Sequence, residues 1–348
     1  MMKKLSVIFL MLFLLSGKTL YGEQPKKAKI TPIPKNAHIL ITSNRDTKDR
    51  RSEIYAINTD GSGATRITYS KYHHFILGVD QTTQYIVASR AAEDTTAPKG
   101  LGDEDKRSLW IIDTKNKLEQ RLTDSKNHAE GDSFSPDGEW IVFLMKRKGK
   151  EQSDIYKIKR DGTQLTPLTD TPAAIEGDPA WSHSGKEIVF AYLDQKTPRF
   201  VIKIMDSQGK NIRTVYDGGP GVSTPVFPAG NYDPEWSPDD QWIVFERATS
   251  SKGENWGNGI WHILKVDRDG KSVVDLSQSG KHSEWAEFLP SFSPDGQFVV
   301  FSAFYQAPDP KNSLDDILVM KADGTSVFKV TTHPKSDKYP VWIPARKT

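Results

Sequence analysis

Short apolar runs bounded by turn residues organise this chain. Ile141-Val142-Phe143, Ile188-Val189-Phe190, Ile243-Val244-Phe245 and Val299-Val300-Phe301 each follow a polar cluster rich in Ser, Pro, Asp or Gly. The runs predict strands, and the clusters predict tight turns. The whole phrase recurs: SFSPDGEWIVF at 133–143, AWSHSGKEIVF at 180–190, EWSPDDQWIVF at 235–245 and SFSPDGQFVVF at 291–301, with a degraded copy, LGVDQTTQYIV, at 77–87. Pro presets φ, Asp bonds its own backbone and Gly supplies φ > 0, so Pro136-Asp137-Gly138 joins two antiparallel strands.

A second phrase follows each first one, as in EIYAINTDGSGATRIT at 53–68, DIYKIKRDGTQLTPLT at 154–169 and DILVMKADGTSVFKVT at 316–331. Each predicts a second hairpin around an Asp-Gly type turn. Successive first phrases start 47, 55 and 56 residues apart (133 to 180, 180 to 235, 235 to 291), the length of a four-stranded propeller blade. HILITSN at 38–44 has the pattern of a blade's second strand and YPVWIP at 339–344 that of a first strand. An open stack would leave pairing edges exposed. The expected fold is therefore all-β: a six-bladed propeller closed where the C-terminal strand joins the N-terminal blade.

The paired phrases resemble the repeat of TolB-type β-propellers, over residues 37–344. The resemblance implies the fold. TolB itself carries a further α/β domain, and none is expected here in the short segment before residue 37.

The N-terminal pattern predicts export from the cytoplasm. Lys3 and Lys4 precede the apolar run 5–17, so residues 1–22 read as a secretory signal, residues 23–36 as an extended tether and residues 37–348 as one propeller domain. A periplasmic or secreted monomer without a stable membrane span after signal removal is expected. Removing Lys3, Lys4 and Lys18 leaves 44 basic against 45 acidic side chains (47 minus 3, against 45), which gives no electrostatic case for nucleic acid. Cysteine is absent, so sheets and core alone must hold the fold.

The long insertions at 90–108, 217–231, 248–259 and 303–313 all map to the face holding the fourth-to-first strand connections, and insertions on one face mark a binding face. Residues just before each first strand should ring the channel mouth there: His73, His74, His128, Glu130, Glu176, Asp178, Asp233, Glu287 and Asp337. Such a ring concentrates negative potential in a concavity. Taken singly, each of these groups also fits a strand-capping role. Phe227, Trp256, Phe304 and Tyr305 lie in the insertions as candidate aromatic anchors, whereas Trp181, Trp236 and Trp342 recur as inter-blade packing. No G-x-S-x-G or H-E-x-x-H occurs, so no catalytic residue is assigned. The expectation is a non-enzymatic module that binds an envelope protein or peptide without a cofactor. The alternative is a carbohydrate-active propeller, resembling oligogalacturonate lyases or a glycan-binding protein, with a divalent cation in the channel.

Overall fold

The computed structural model describes residues 24–47, 51–91, 107–124, 126–147, 152–194, 196, 199–252, 259–278, 284–305 and 314–345. The expected signal at 1–22 lies outside them. A short β1 (Lys26–Lys27) precedes β2 (Ile39–Ser43), β3 (Glu53–Ile57) and β4 (Thr65–Arg66). A four-strand meander follows in β5 (His74–Val79), β6 (Tyr85–Ala91), β7 (Arg107–Asp113) and β8 (Leu118–Arg121). It recurs in β9 (His128–Phe134), β10 (Trp140–Lys146), β11 (Asp154–Lys159) and β12 (Thr166–Pro167), then in β13 (Ala174–Trp181), β14 (Glu187–Asp194), β15 (Val201–Asp206) and β16 (Arg213–Tyr216). Two further copies are β17 (Asn231–Trp236), β18 (Trp242–Ser250), β19 (Ile260–Asp267) and β20 (Val273–Asp275), and β21 (Ala286–Phe292), β22 (Phe298–Tyr305), β23 (Leu314–Lys321) and β24 (Phe328–Lys329). β25 (Asp337–Trp342) ends the series, and no α-helix occurs among the described residues. The fold is an all-β propeller.

Hydrogen bonding differs from the expected six separate four-stranded sheets. It gives four sheets of four or five strands and one of eight. The fifth strand is β1, which adds to the outer edge of β8; the eight arise because Trp261 of β19 and Ala286 of β21 meet in a parallel bridge. β25 pairs antiparallel with β2, placing Trp342 opposite Ile39 and Asp337 opposite Ser43.

The turn residues act as their chemistry dictates. Ser135 Oγ donates to the Asp137 carboxylate and accepts the Trp140 N–H at 2.9 Å, and Ser237 and Ser293 repeat both bonds with their own Asp and aromatic partners. The core lies in the seams between successive sheets. Ile141, Phe143 and Met145 of β10 pack towards Val87 and Leu109, while Val142 and Leu144 point the other way, onto Trp181 and Phe190. Such strands are apolar on both faces, so their runs are continuous. Trp236 packs with Val189 and Ile202 of the preceding sheet, and Ile39, Ile41 and Trp342 pack with Val300 and Ile317.

The segment at 24–36 is extended but docked. Ala28 N–H donates to Lys117 O at 3.1 Å and Thr31 N–H to Ile67 O at 2.9 Å, while Ile30 and Ile33 enter the core between the β2–β4 and β5–β8 sheets. Two buried isoleucines tie it down, so it is a clasp across two sheets rather than a free tether.

Candidate functional site

First strands β5, β9, β13, β17, β21 and β25 lie side by side around a channel of about 950 Å³. Most of these strands bulge at one residue with positive φ: Gly131, Asp178 (49°), Asp233 (48°), Leu289 (57°) and Tyr339 (55°). Proline follows the last four, at 179, 234, 290 and 340. A proline has no N–H to donate, so it suits a strand edge that faces an open channel. Left-handed backbone at a non-glycine residue before proline is strained, and four such residues gather around one channel. The bulges turn the side chains of Asp178, Asp233, Leu289 and Tyr339 towards the axis.

The bulges bring carboxyls together. Asp178 Oδ2 accepts the Asp233 N–H at 3.3 Å, the Asp233 and Glu246 carboxyls share a hydrogen bond, and Glu246 Oε2 accepts the Leu289 N–H. Glu235 faces the same channel. Burial pushes Asp178 up to about 6, helped by the Glu130 charge and opposed by the Asp233 N–H. Burial drives Glu235 and Glu246 to about 8, and burial with the Asp178 and Glu246 charges drives Asp233 well above the carboxylate range. Asp178, Asp233 and Glu235 are only half-buried by area, because they open onto the channel. Glu130 behaves oppositely: burial raises it, but His128 Nε2 at 3.1 Å and Arg107 Nη1 at 3.2 Å outweigh burial and hold it below the usual range. Tyr232, Phe227, Phe288 and Tyr339 complete the wall.

Of the expected ring, His128, Glu130, Asp178 and Asp233 line the channel. The rest serve the seams. Glu176 accepts from Thr169 and Thr171, and Glu287 from Ser277, while Thr169 and Ser277 each accept a third-strand N–H at 2.8 Å. Asp337, wholly buried, is 2.8 Å from Arg45 Nη2. His74 Nδ1 is 3.2 Å from buried Glu53, and His73 Nδ1 accepts the Ser52 N–H at 3.2 Å. Glu176, Glu287 and Asp337 stand two residues before a bulge residue, so they miss the axis. Phe227 does line the channel, edge-on to Trp261 at 5.4 Å, and Phe304 packs beneath it among Tyr232, Trp261 and Phe288. Trp256 lies outside the described residues, and Tyr305 is the last residue of β22. Sequence reasoning missed Glu235, Glu246, Leu289 and Tyr339; the residue-Pro step shared by four first strands was the available signal for Leu289 and Tyr339.

No group of three or more His, Asp or Glu placed to hold a metal ion occurs among the described residues. The TolB beta propeller domain model matches residues 99–289, more than half of the chain. The chain belongs to the TolB beta-propeller family. Among solved structures, this propeller is similar to TolB from Acinetobacter baumannii, with a TM-score of 0.65 and 17% identity over 90% of this chain and 68% of that one. It is also similar to a putative TolB from Agrobacterium tumefaciens, at 0.57 and 18%, covering 89% of this chain and 99% of that one. At such identities the likeness shows the fold alone. The uncharacterized protein Atu1656 of Agrobacterium fabrum is 31% identical over 40% of this chain, and the uncharacterized peptidase YuxL of Bacillus subtilis 24% over 61%. These matches span 46% and 27% of those relatives' own lengths.

Proposed function

We propose that this TolB-type propeller is an exported, non-enzymatic binding protein that takes a cationic peptide or protein segment into its channel mouth. The carrying observation is the Asp178-Asp233-Glu246 cluster, joined by Glu235 and walled by Tyr232, Phe227 and Tyr339. Carboxyls crowded in a concavity retain protons that a lysine or arginine side chain displaces, and aromatic walls anchor the apolar stem of such a side chain. Family membership supports the reading through the fold, and the apolar run at 5–17 behind two lysines supports export to the periplasm or beyond. The same reading takes the chain as a monomer with six blades, the eight-stranded sheet counting as two. In support, β25 pairs with β2 and an apolar seam joins β22 and β23 to β2 and β3.

The test is capture of a partner from envelope extract by the wild-type protein and by a triple variant with Glu130, Asp178 and Asp233 changed to Lys. Loss of capture with an unaltered melting transition is expected. Equal capture by both proteins removes the channel from the argument. Melting with divalent ions and uronate oligomers separates this reading from the carbohydrate-active one, since a ligand of the folded state must raise the melting point.

A further inference from the structure

A second concavity, which shares no lining residue with the acidic channel, lies in the seam that the N-terminal clasp crosses. It measures about 210 Å³, and its walls include Lys29, Tyr69, Ser70, Lys71, Tyr72, Arg90 and Glu119. Arg90 is only 5% exposed. Its guanidinium carbon lies 4.0 Å from the centre of the Tyr72 ring and 4.0 Å from that of Trp110. Contact with an aromatic ring uses none of the fork's N–H groups, which stay free for hydrogen bonds. The described residues offer that edge one long bond, Nη1 to Glu119 Oε1 at 3.3 Å.

Lys29 Nζ sits 4.3 Å from the centre of the Tyr69 ring, and Arg66 stacks on the same ring at 4.6 Å. Arg66 is already spent on Glu53 at 2.8 Å. Lys29 has no carboxylate within ion-pair reach among the described residues. The walls therefore set Lys29 and Arg90 against Glu119, two positive charges against one, in a chain that is nearly neutral. A buried guanidinium whose fork holds one long bond, and an ammonium without a described carboxylate partner in the same concavity, form a receptor for an oxyanion, which accepts parallel bonds from the fork. The geometry points to an anion site here, taking a phosphate or carboxylate group carried on a small solute. Ala28, Lys29 and Ile30 supply one wall, so the docked clasp completes the site.

The test is calorimetric titration of the full chain with inorganic phosphate and, separately, with sodium acetate, at ionic strength held constant with potassium chloride. Binding of either anion is expected, and which one binds identifies the group taken. Arg90→Lys keeps the charge but loses the fork and should weaken binding roughly tenfold or more, the worth of a charge-assisted hydrogen bond. Lys29→Gln, at an exposed residue that leaves the fold intact, should weaken it about threefold or more. Glu119→Gln should strengthen binding, because it removes the competing carboxylate. Absence of binding by both anions would overturn the site, as would affinity unchanged across Lys29→Gln and Glu119→Gln.

Discussion

The carboxylate of Asp178 accepts the backbone N–H of Asp233 at 3.3 Å, across 55 residues of sequence. One blade's bulge is thereby tied to the next by the groups that face the channel. Folding this propeller means enclosing these acids together, and that enclosure has consequences that can be measured.

Stability should fall as pH rises from about 5 to 8. Glu246, 4% exposed, and Glu235 are pushed up to about 8, and Asp178 to about 6. In that window the folded state holds protons that the unfolded chain has released, so the slope of unfolding free energy against pH is negative. Each such group contributes at most about 1.4 kcal/mol per pH unit. Chemical denaturation across this range checks it. Glu246→Gln should flatten the profile, and a wild-type profile that climbs towards pH 8 would contradict the enclosure.

Binding at the channel should run the other way. Ionised carboxylates attract a cationic segment, so affinity should rise as pH passes upward through about 6 and then about 8, with uptake of the cation releasing protons. Calorimetry of a captured partner in buffers of different ionisation enthalpy measures the proton count. No proton release would separate binding from these acids.

Gly61→Ala should loosen the seam between the last and first repeats. Gly61 has φ of 78°, and an added Cβ would stand 2.0 Å from the Val330 carbonyl oxygen. Gly270 makes the matching contact with the Val215 carbonyl, also at 2.0 Å. Each substitution combines backbone strain with a clash against backbone and should cost about 1–3 kcal/mol or more. Similar losses in melting temperature at both sites would mean that the terminal seam is packed like an internal one.

Deleting residues 339–348 should abolish cooperative folding. It strips most of β25 from β2, removes Trp342 with its Nε1 bond to Ser291 O at 3.1 Å, and leaves Ile39 and Ile41 uncovered. Truncating one large core aromatic typically costs about 3–5 kcal/mol against a total of about 5–15. A monomer with an unchanged melting transition would show that the C-terminal strand is dispensable.

Ser277→Ala should cost about 1–3 kcal/mol, since it orphans the Ile263 N–H and removes one donor from the wholly buried Glu287 carboxylate. Ser277→Thr should restore most of that loss, because Thr169 occupies the same position two repeats earlier. Urea unfolding of both variants decides it.

The sequence by itself determined the hairpins, the repeat and the pairing of HILITSN with YPVWIP. The hairpins and the repeat rest on turn chemistry and apolar spacing within about ten residues, which is local information, whereas the pairing of 38–44 with 339–344 followed from the strands missing at the two ends of the repeat series. It also identified the inter-sheet tryptophans, since a recurring position in a repeat meets a recurring environment. Only the tertiary structure decided which polar residues face the axis. A single bulge residue reverses the alternation of a strand, so Glu176, Glu287 and Asp337 turn into seams while Asp178, Asp233 and Tyr339 turn inward. Glu246 joins them from β18, in a second strand that carried no such signal. The docking of residues 26–33 likewise depends on an edge of β8 and a gap between two sheets, neither of which exists until the chain has folded. Proton affinity in the channel follows from enclosure and from charges brought close across many residues, quantities set by three-dimensional distance rather than by order along the chain.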